Sequence, residues 1–357
     1  MRIYSNQSRL FCLDFLKAVS IVAIVSYNSI FVPISTYQNH ADFLETLFTP
    51  LRFCIPVFLT ISFFLLGKQL DNQGNKKKSS LLFEHLQHVF ILTLFWFAIA
   101  SIFKFASGNS ILQICRDIYQ GKIFPDSYYF LVILQLFPIY FVFKRWLHSN
   151  YSVLLLIVLQ WLIFFGIYIS LTSSSTQGIV EVLKNLNHPL IIYWLVYIAL
   201  GIFIYRQFNL IASISKGIEL STKVFLLCLM SIILMFDYQW LIKITNGTMQ
   251  PFDYATISCI ISAIAMFLCF ASIQETHLSV LGEFLIKLLS KYSLGIFCIN
   301  GILSQVFFYV GTKLFYQASF SLIEILVIKV ISWIVLLALS LSLSVLLARF
   351  GLKKMVC

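Results

Sequence analysis

Residues 11–31, FCLDFLKAVSIVAIVSYNSIF, are apolar enough for a bilayer yet carry a carboxylate at Asp14, an ammonium at Lys17 and an amide at Asn28. In an α-helix the 11 residues from Lys17 to Asn28 advance three turns plus about 20°, so the two share a face, roughly 16 Å apart along the axis. Asp14 precedes Lys17 at i,i+3, placed to neutralise it. Ionisable groups within lipid are costly, so they face a bundle interior or a water-filled cavity. A lysine near a helix end has the alternative of snorkelling to the interface. An ammonium can hold a phosphate or a developing negative charge. An asparagine can orient a substrate by hydrogen bonds, but it has no pKa suited to proton transfer. Its bland alternative is an interhelical hydrogen bond, worth about 0.6 kcal/mol on average.

The elements that position these groups follow from composition. Only 11% of residues are charged and 60% are hydrophobic. Soluble domains carry about a quarter charged residues, so this chain belongs in a bilayer. The expected class is an all-α polytopic membrane protein, one domain over residues 1–357. Ten apolar windows of helix-spanning length lie near 11–31, 50–67, 86–104, 127–143, 151–171, 189–205, 222–240, 254–273, 292–311 and 322–348. Alternating the connections puts 16 of the 25 Lys and Arg residues on one side, including Lys68, Lys144, Arg145, Lys287, Lys291 and Arg349. The richer side is cytoplasmic by the positive-inside rule, so both termini are expected inside. The polar run DNQGNKKKSS at 71–80 reads as a solvated cytoplasmic loop. The net charge of +11 is spread over such short clusters, which argues for topology signals and against nucleic-acid binding. Eight cysteines occur singly with no CxxC pair, which suits helix packing and gives no metal site. The N-terminal apolar stretch is too long, and too polar at Lys17, for a cleavable signal peptide. No internal repeat marks a transporter.

LDFLKAVSIVAIVSYN resembles the opening of the acyltransferase-3 family of membrane acyltransferases. Members begin Leu-Asp-x-Leu-Arg and place a histidine 11 residues after the basic residue. Leu13, Asp14, Leu16 and Lys17 match, and Asn28 stands at the histidine position. Four further segments are similar in order. These are PVFLTISFFLLGK at 56–68, with Ser62 kept, and SYYFLVILQLFPIY at 127–140, followed by YWLVYIALGIFIYR at 193–206 and KYSLGIFCINGIL at 291–303. Two departures stand out. Asn300 occupies the late histidine position, and FEHLQHV places His85 and His88 where the family has a pair of arginines.

The resemblance implies transfer of an acyl group, commonly acetyl, from acyl-CoA to a hydroxyl of a cell-surface glycan or lipid. It also implies a multi-pass protein of the bacterial inner membrane. Such a site needs basic groups at the inner mouth for CoA phosphates, a base for the acceptor's proton, and a dry cavity protecting the thioester. Asp14, Lys17 and Asn28 are the expected catalytic face, with His188, on the outer side before Pro189, as a substitute base. His85, His88, Asn300, Arg52 and Ser62 are the expected substrate-binding residues. The contrasting expectation is a catalytically inactive relative that binds or moves a glycan or lipid, or serves as a partner in a larger membrane system. Near the outer ends, Lys329 awaits a partner, Asp237, Trp240 and Lys243 read as an interfacial cluster, and Asn246-Gly-Thr248 fits a glycosylation sequon.

Overall fold

The structure, a computed structural model, describes residues 10–71, 78–147, 149–172, 177–245, 254 and 256–357. Arg2, Arg9, the lysines at 76 and 77, His148 and the sequon at 246–248 lie outside these residues.

Among the described residues the secondary structure is helical throughout, with no strand. In chain order the helices are α1 (Phe11–Tyr27), α2 (Ala41–Phe48), α3 (Cys54–Asp71), α4 (Lys78–Ala106), α5 (Ile111–Tyr119), α6 (Tyr128–Leu147), α7 (Asn150–Thr172) and α8 (Gln177–Leu186). Then follow α9 (Leu195–Arg206), α10 (Phe208–Gly217), α11 (Leu220–Thr245), α12 (Ile257–Phe270), α13 (Val280–Lys291), α14 (Ser293–Leu314), α15 (Leu322–Leu347) and a short α16 (Lys353–Val356). Each of the ten apolar windows coincides with a helix.

Six of these helices are long and apolar enough to cross a bilayer, or seven if α9 and α10, bent by 78°, count as one span. The other helices in the ten windows are shorter: α1 has 17 residues, α12 has 14, and the apolar part of α6 is Tyr128–Phe143. α1 is short because it stops at Asn28, five residues before Pro33, and the chain then runs through single-turn 3₁₀ segments. The chain is an integral, multi-pass membrane protein.

The polar connections are more ordered than their composition implies. The segment 105–126 holds α5, and 172–188 holds α8. Their patterns, ILQICRDIY and QGIVEVLKNL, repeat apolar residues at helical spacing with charges opposite. α10 and α13 are built the same way on the opposite side of the sequence-derived topology. An amphipathic helix of this kind lies along an interface with its apolar face inward.

α1 is the central element. It packs against α3, α12, α13, α14 and α15, and most of its side chains are buried. The most extensive helix pair is α3 with α9. Gly201 permits it, because a Cβ there would lie 2.6 Å from the Thr60 carbonyl oxygen and 2.7 Å from Phe63 Cβ. Small residues at crossings let helix backbones approach in lipid, where packing rather than water exclusion drives association. Peripheral helices turn large apolar side chains outward, as with Leu154 and Trp161 on α7, Phe236 on α11 and Ile334 on α15. An interior relay of edge-to-face rings, Phe97, Phe124, Phe130 and Phe297 with Tyr129 tilted against Phe297, fills the bundle beside α1.

Candidate functional site

The polar residues of α1 belong to two sites at opposite ends of the helix. At its N-terminal end a cavity of about 520 Å³ is lined by Asp14, Lys17, Ser62, His88, Tyr129 and Lys291, among others. That volume falls in the range of sites for small molecules and cofactors. Asp14 is buried and accepts a hydrogen bond from Ser290 Oγ, which ties α1 to the end of α13. Ser62 Oγ donates to the Phe58 carbonyl at 2.9 Å and lies 3.1 Å from the Tyr129 hydroxyl. Phe58, Leu92, Phe130 and Phe137 supply much of the remaining wall, so charged and apolar groups share one cavity.

Four expected residues therefore meet in one place: Asp14, Lys17, Ser62 and His88. His85, one turn before His88 on α4, instead hydrogen-bonds to Gln69 Oε1 on α3. Lys287 is held by Glu275, at 2.7 Å, and Glu283, and these hydrogen bonds raise its pKa above the ordinary lysine value. Lys17 and Lys291 are the ammonium groups that line the cavity.

At the other end α1 closes on Asn28, whose backbone N–H returns to the Ile24 carbonyl at 3.2 Å. The last carbonyls of a helix carry partial negative charge and need donors. Lys329, buried on α15, supplies one: its Nζ donates to the Ser26 carbonyl at 2.7 Å, 3.5 Å from Ser29 Oγ and 4.1 Å from the Phe48 ring centroid. The partner that the sequence left open for Lys329 is thus a helix terminus.

Asn28 Nδ2 donates to Asp126 Oδ2 at 2.9 Å. Both side chains are half-buried. Asp126 has φ of 63°, a left-handed conformation in which Asp is among the tolerated non-glycine residues. Its turn is built tightly. Ser127 Oγ donates to the Gly121 carbonyl at 2.8 Å and accepts from Phe124 N–H, while the Asp126 carbonyl accepts from Tyr129 N–H. Such a conformation persists where surrounding structure enforces it, and it clusters at functional sites.

Arg52 is buried beside this region, donating to the Tyr27 hydroxyl at 3.0 Å and stacking 4.5 Å over Tyr238, which hydrogen-bonds Glu45. His188 is also buried. Its Nδ1 sits 2.9 Å from Asn187 Oδ1, its ring stacks 4.5 Å from Tyr128, and its carbonyl accepts from Trp194 Nε1 at 2.7 Å. Tyr254 closes this aromatic group against Tyr128 and Trp194. His188 is thus a packed member of an aromatic stack, whereas Asp126 is a half-buried carboxylate bonded to Asn28 at the α1 terminus.

Asn300 lies between the two ends. It is 1% exposed, and neither its Nδ2 nor its Oδ1 has a hydrogen-bond partner among the described residues. The next residue, Gly301, brings α14 against the Asp126 turn: a Cβ there would meet Phe124 Cδ2 at 2.5 Å and the Pro125 carbonyl at 3.1 Å. No group of three or more His, Cys, Asp or Glu residues able to hold a metal occurs among the described residues.

Three of the five motif segments lie on α1 and on α3 and α14, which pack directly against it, and residues 10–349 match the family described as Acyltransferase domain, Acyl_transf_3. The chain belongs to the acyltransferase-3 family. No curated protein and no solved structure matches it. In this acyltransferase-3 chain the family's opening motif supplies both ends of α1, from Asp14 and Lys17 to Asn28. Asp126 was not singled out from sequence, and Lys329 was singled out without its partner, because their contacts join residues 98 and 303 positions apart. A weak signal for the first was the Pro-Asp-Ser run at a helix start, a common turn composition.

Proposed function

We propose that this protein is a membrane O-acyltransferase that moves an acyl group from acyl-CoA to a hydroxyl of a cell-envelope glycan or lipid. The observation that carries the reading is the cavity joining Asp14, Lys17, His88 and Lys291 at the N-terminal end of α1. Two ammonium groups and a histidine at its mouth suit a phosphate-bearing donor, and the apolar wall beyond suits an acyl thioester kept from water. Ten crossings with both termini cytoplasmic would put this mouth on the side where acyl-CoA is made. Asn300, with two unpartnered hydrogen-bonding atoms in the middle of the bundle, suits a ligand carbonyl, since burying such groups without partners costs about 1–3 kcal/mol. The amphipathic helices α2, α5 and α8 would then lie at the outer interface, around a hydroxyl acceptor.

A second reading has an observation of its own. Asn28 and Asn300 stand where the family resemblance places histidines, and neither amide can accept a proton. A non-catalytic relative would keep the cavities for binding alone. One assay separates the two. Purified protein in liposomes is given radiolabelled acetyl-CoA and a mixture of envelope glycans and lipids as acceptors. The acyltransferase reading expects label in an acceptor, with Lys17→Ala cutting the rate at low donor concentration at least tenfold. Donor binding without any transfer across the acceptor panel would favour the inactive relative.

A further inference from the structure

The acyl-transfer reading leaves one chemical gap, a proton acceptor at the C-terminal end of α1, where the long pantetheine arm of a donor held in the cavity at the other end would have to present its thioester. We propose that Asp126 is that acceptor, with Asn28 as the positioning residue that aims and charges its carboxylate. This inference rests on the acyl-transfer reading and deepens it.

Three observations converge on the pair. Asn28 is the C-cap of α1, so the helix end itself fixes its side chain, and its Nδ2–H points at Asp126 Oδ2 at 2.9 Å. Asp126 is held at φ 63° by a turn whose internal bonds come from Ser127, Gly121 and Tyr129, so the backbone directs its side chain toward the α1 terminus, where the Asn28 bond holds the carboxylate. Both side chains are half-buried, which leaves a reacting hydroxyl room to approach, unlike the enclosed ring of His188.

A carboxylate that accepts an amide hydrogen bond is favoured in its charged form, the form able to take a proton. Among the described residues, the titratable groups coupled to Asp126 include the Cys54 thiol on α3 and the Tyr254 phenol, and Arg52 is bonded to Tyr27, the residue before Asn28. The adjoining α14 presents Asn300, which is uncharged.

The step balances. The acceptor hydroxyl gives its proton to a carboxylate oxygen of Asp126 as its oxygen forms a bond to the thioester carbonyl carbon. Collapse of the tetrahedral species breaks the carbon–sulfur bond, and the proton on Asp126 goes to the departing thiolate, directly or through water. The products are an ester and free thiol, and the carboxylate is regenerated. General-base help of this kind is worth typically 10²–10⁴-fold.

The test compares native protein, Asp126→Asn, Asp126→Glu and Asn28→Ala in the liposome transfer assay, each as a full pH–rate profile at saturating acetyl-CoA. Detergent melting and acetyl-CoA binding report folding separately. The proposal expects Asp126→Asn to lose at least 100-fold in turnover while still binding donor, and Asp126→Glu to recover at least tenfold over it. It expects Asn28→Ala to move the acid limb of the profile to higher pH by roughly one unit, because the charged carboxylate has lost its donor. An Asp126→Asn profile within threefold of native would overturn it and leave the acyl-transfer reading standing. An unmoved acid limb in a folded, active Asn28→Ala would equally overturn it. Absence of transfer by the native protein would remove both.

Discussion

Replacing Lys329 by methionine separates what a buried charge does for stability from what it does for the site. The ammonium is 2% exposed and serves the Ser26 carbonyl at 2.7 Å, at the negative end of α1. A hydrogen bond involving a charged group is worth about 1.5–3 kcal/mol, and a partly buried helix-end charge up to about 2 kcal/mol. The Phe48 ring at 4.1 Å adds about 1–2 kcal/mol of cation–π attraction. These overlapping gains come to about 4 kcal/mol. Against them stands desolvation of an ammonium, several kcal/mol even after relaxation. The two nearly cancel, so Lys329→Met, which keeps the volume, is expected to change unfolding free energy by less than about 2 kcal/mol. Lys329→Ala leaves a cavity as well and is expected to cost about 2–4 kcal/mol. The α1 terminus responds differently, because without the ammonium the Ser26 carbonyl keeps only local donors, Ser29 Oγ at 2.7 Å among them, and loses the tie to α15 that holds the turn carrying Asn28. Acyl transfer by Lys329→Met is expected to fall at least tenfold. The assay is denaturant unfolding in detergent beside transfer in liposomes. A methionine variant destabilised by more than 3 kcal/mol, yet with native turnover per folded molecule, would refute the reasoning.

Other substitutions probe the remaining contacts. Gly201→Leu drives a side chain into the Thr60 carbonyl, 2.6 Å from the new Cβ, and is expected to cost at least 3 kcal/mol or abolish folded yield by fluorescence-detected size exclusion. Asn300→Leu removes a buried amide that has no hydrogen-bond partner among the described residues, so melting is expected to rise by the equivalent of about 1–3 kcal/mol while transfer is lost. Stability and activity falling together there would mark Asn300 as structural. His188→Phe keeps the stack on Tyr128 and is expected to retain transfer within about fivefold, measured on protein of confirmed fold; a loss beyond 100-fold would return the base to His188.

Much of this architecture was legible in the residues themselves. Every apolar window coincides with a helix, since backbone groups in lipid must bond within their own segment and a helix is the local way to do so. The i,i+3 pairing of Asp14 and Lys17 predicted a shared cavity wall, because helical spacing is a local rule. What stayed hidden depends on tertiary approach. His88 lines the cavity beside Lys17 while His85 turns to Gln69 on α3, a choice set by how α4 is rotated in the bundle. The helices α5 and α8 lie outside the ten apolar windows, because their charge content masks a helical period visible once ILQICRDIY is read at steps of three and four. Arg52 was expected to bind substrate, and the structure finds it stacked on Tyr238 and bonded to Tyr27. The Asn28–Asp126 bond spans 98 residues and needs a left-handed backbone at Asp126, and neither is visible to a periodicity argument.

The central claim is that the cavity beside Lys17 takes the CoA-linked donor. Direct binding of acetyl-CoA to the purified, detergent-solubilised protein by isothermal calorimetry tests it without need of an acceptor. One site per chain is expected, weakened at least tenfold by Lys17→Ala, further by Lys17→Ala with His88→Ala, and untouched by Asp126→Asn. Equal affinity in the native protein and the Lys17 and His88 variants, or a loss confined to Asp126→Asn, would contradict it.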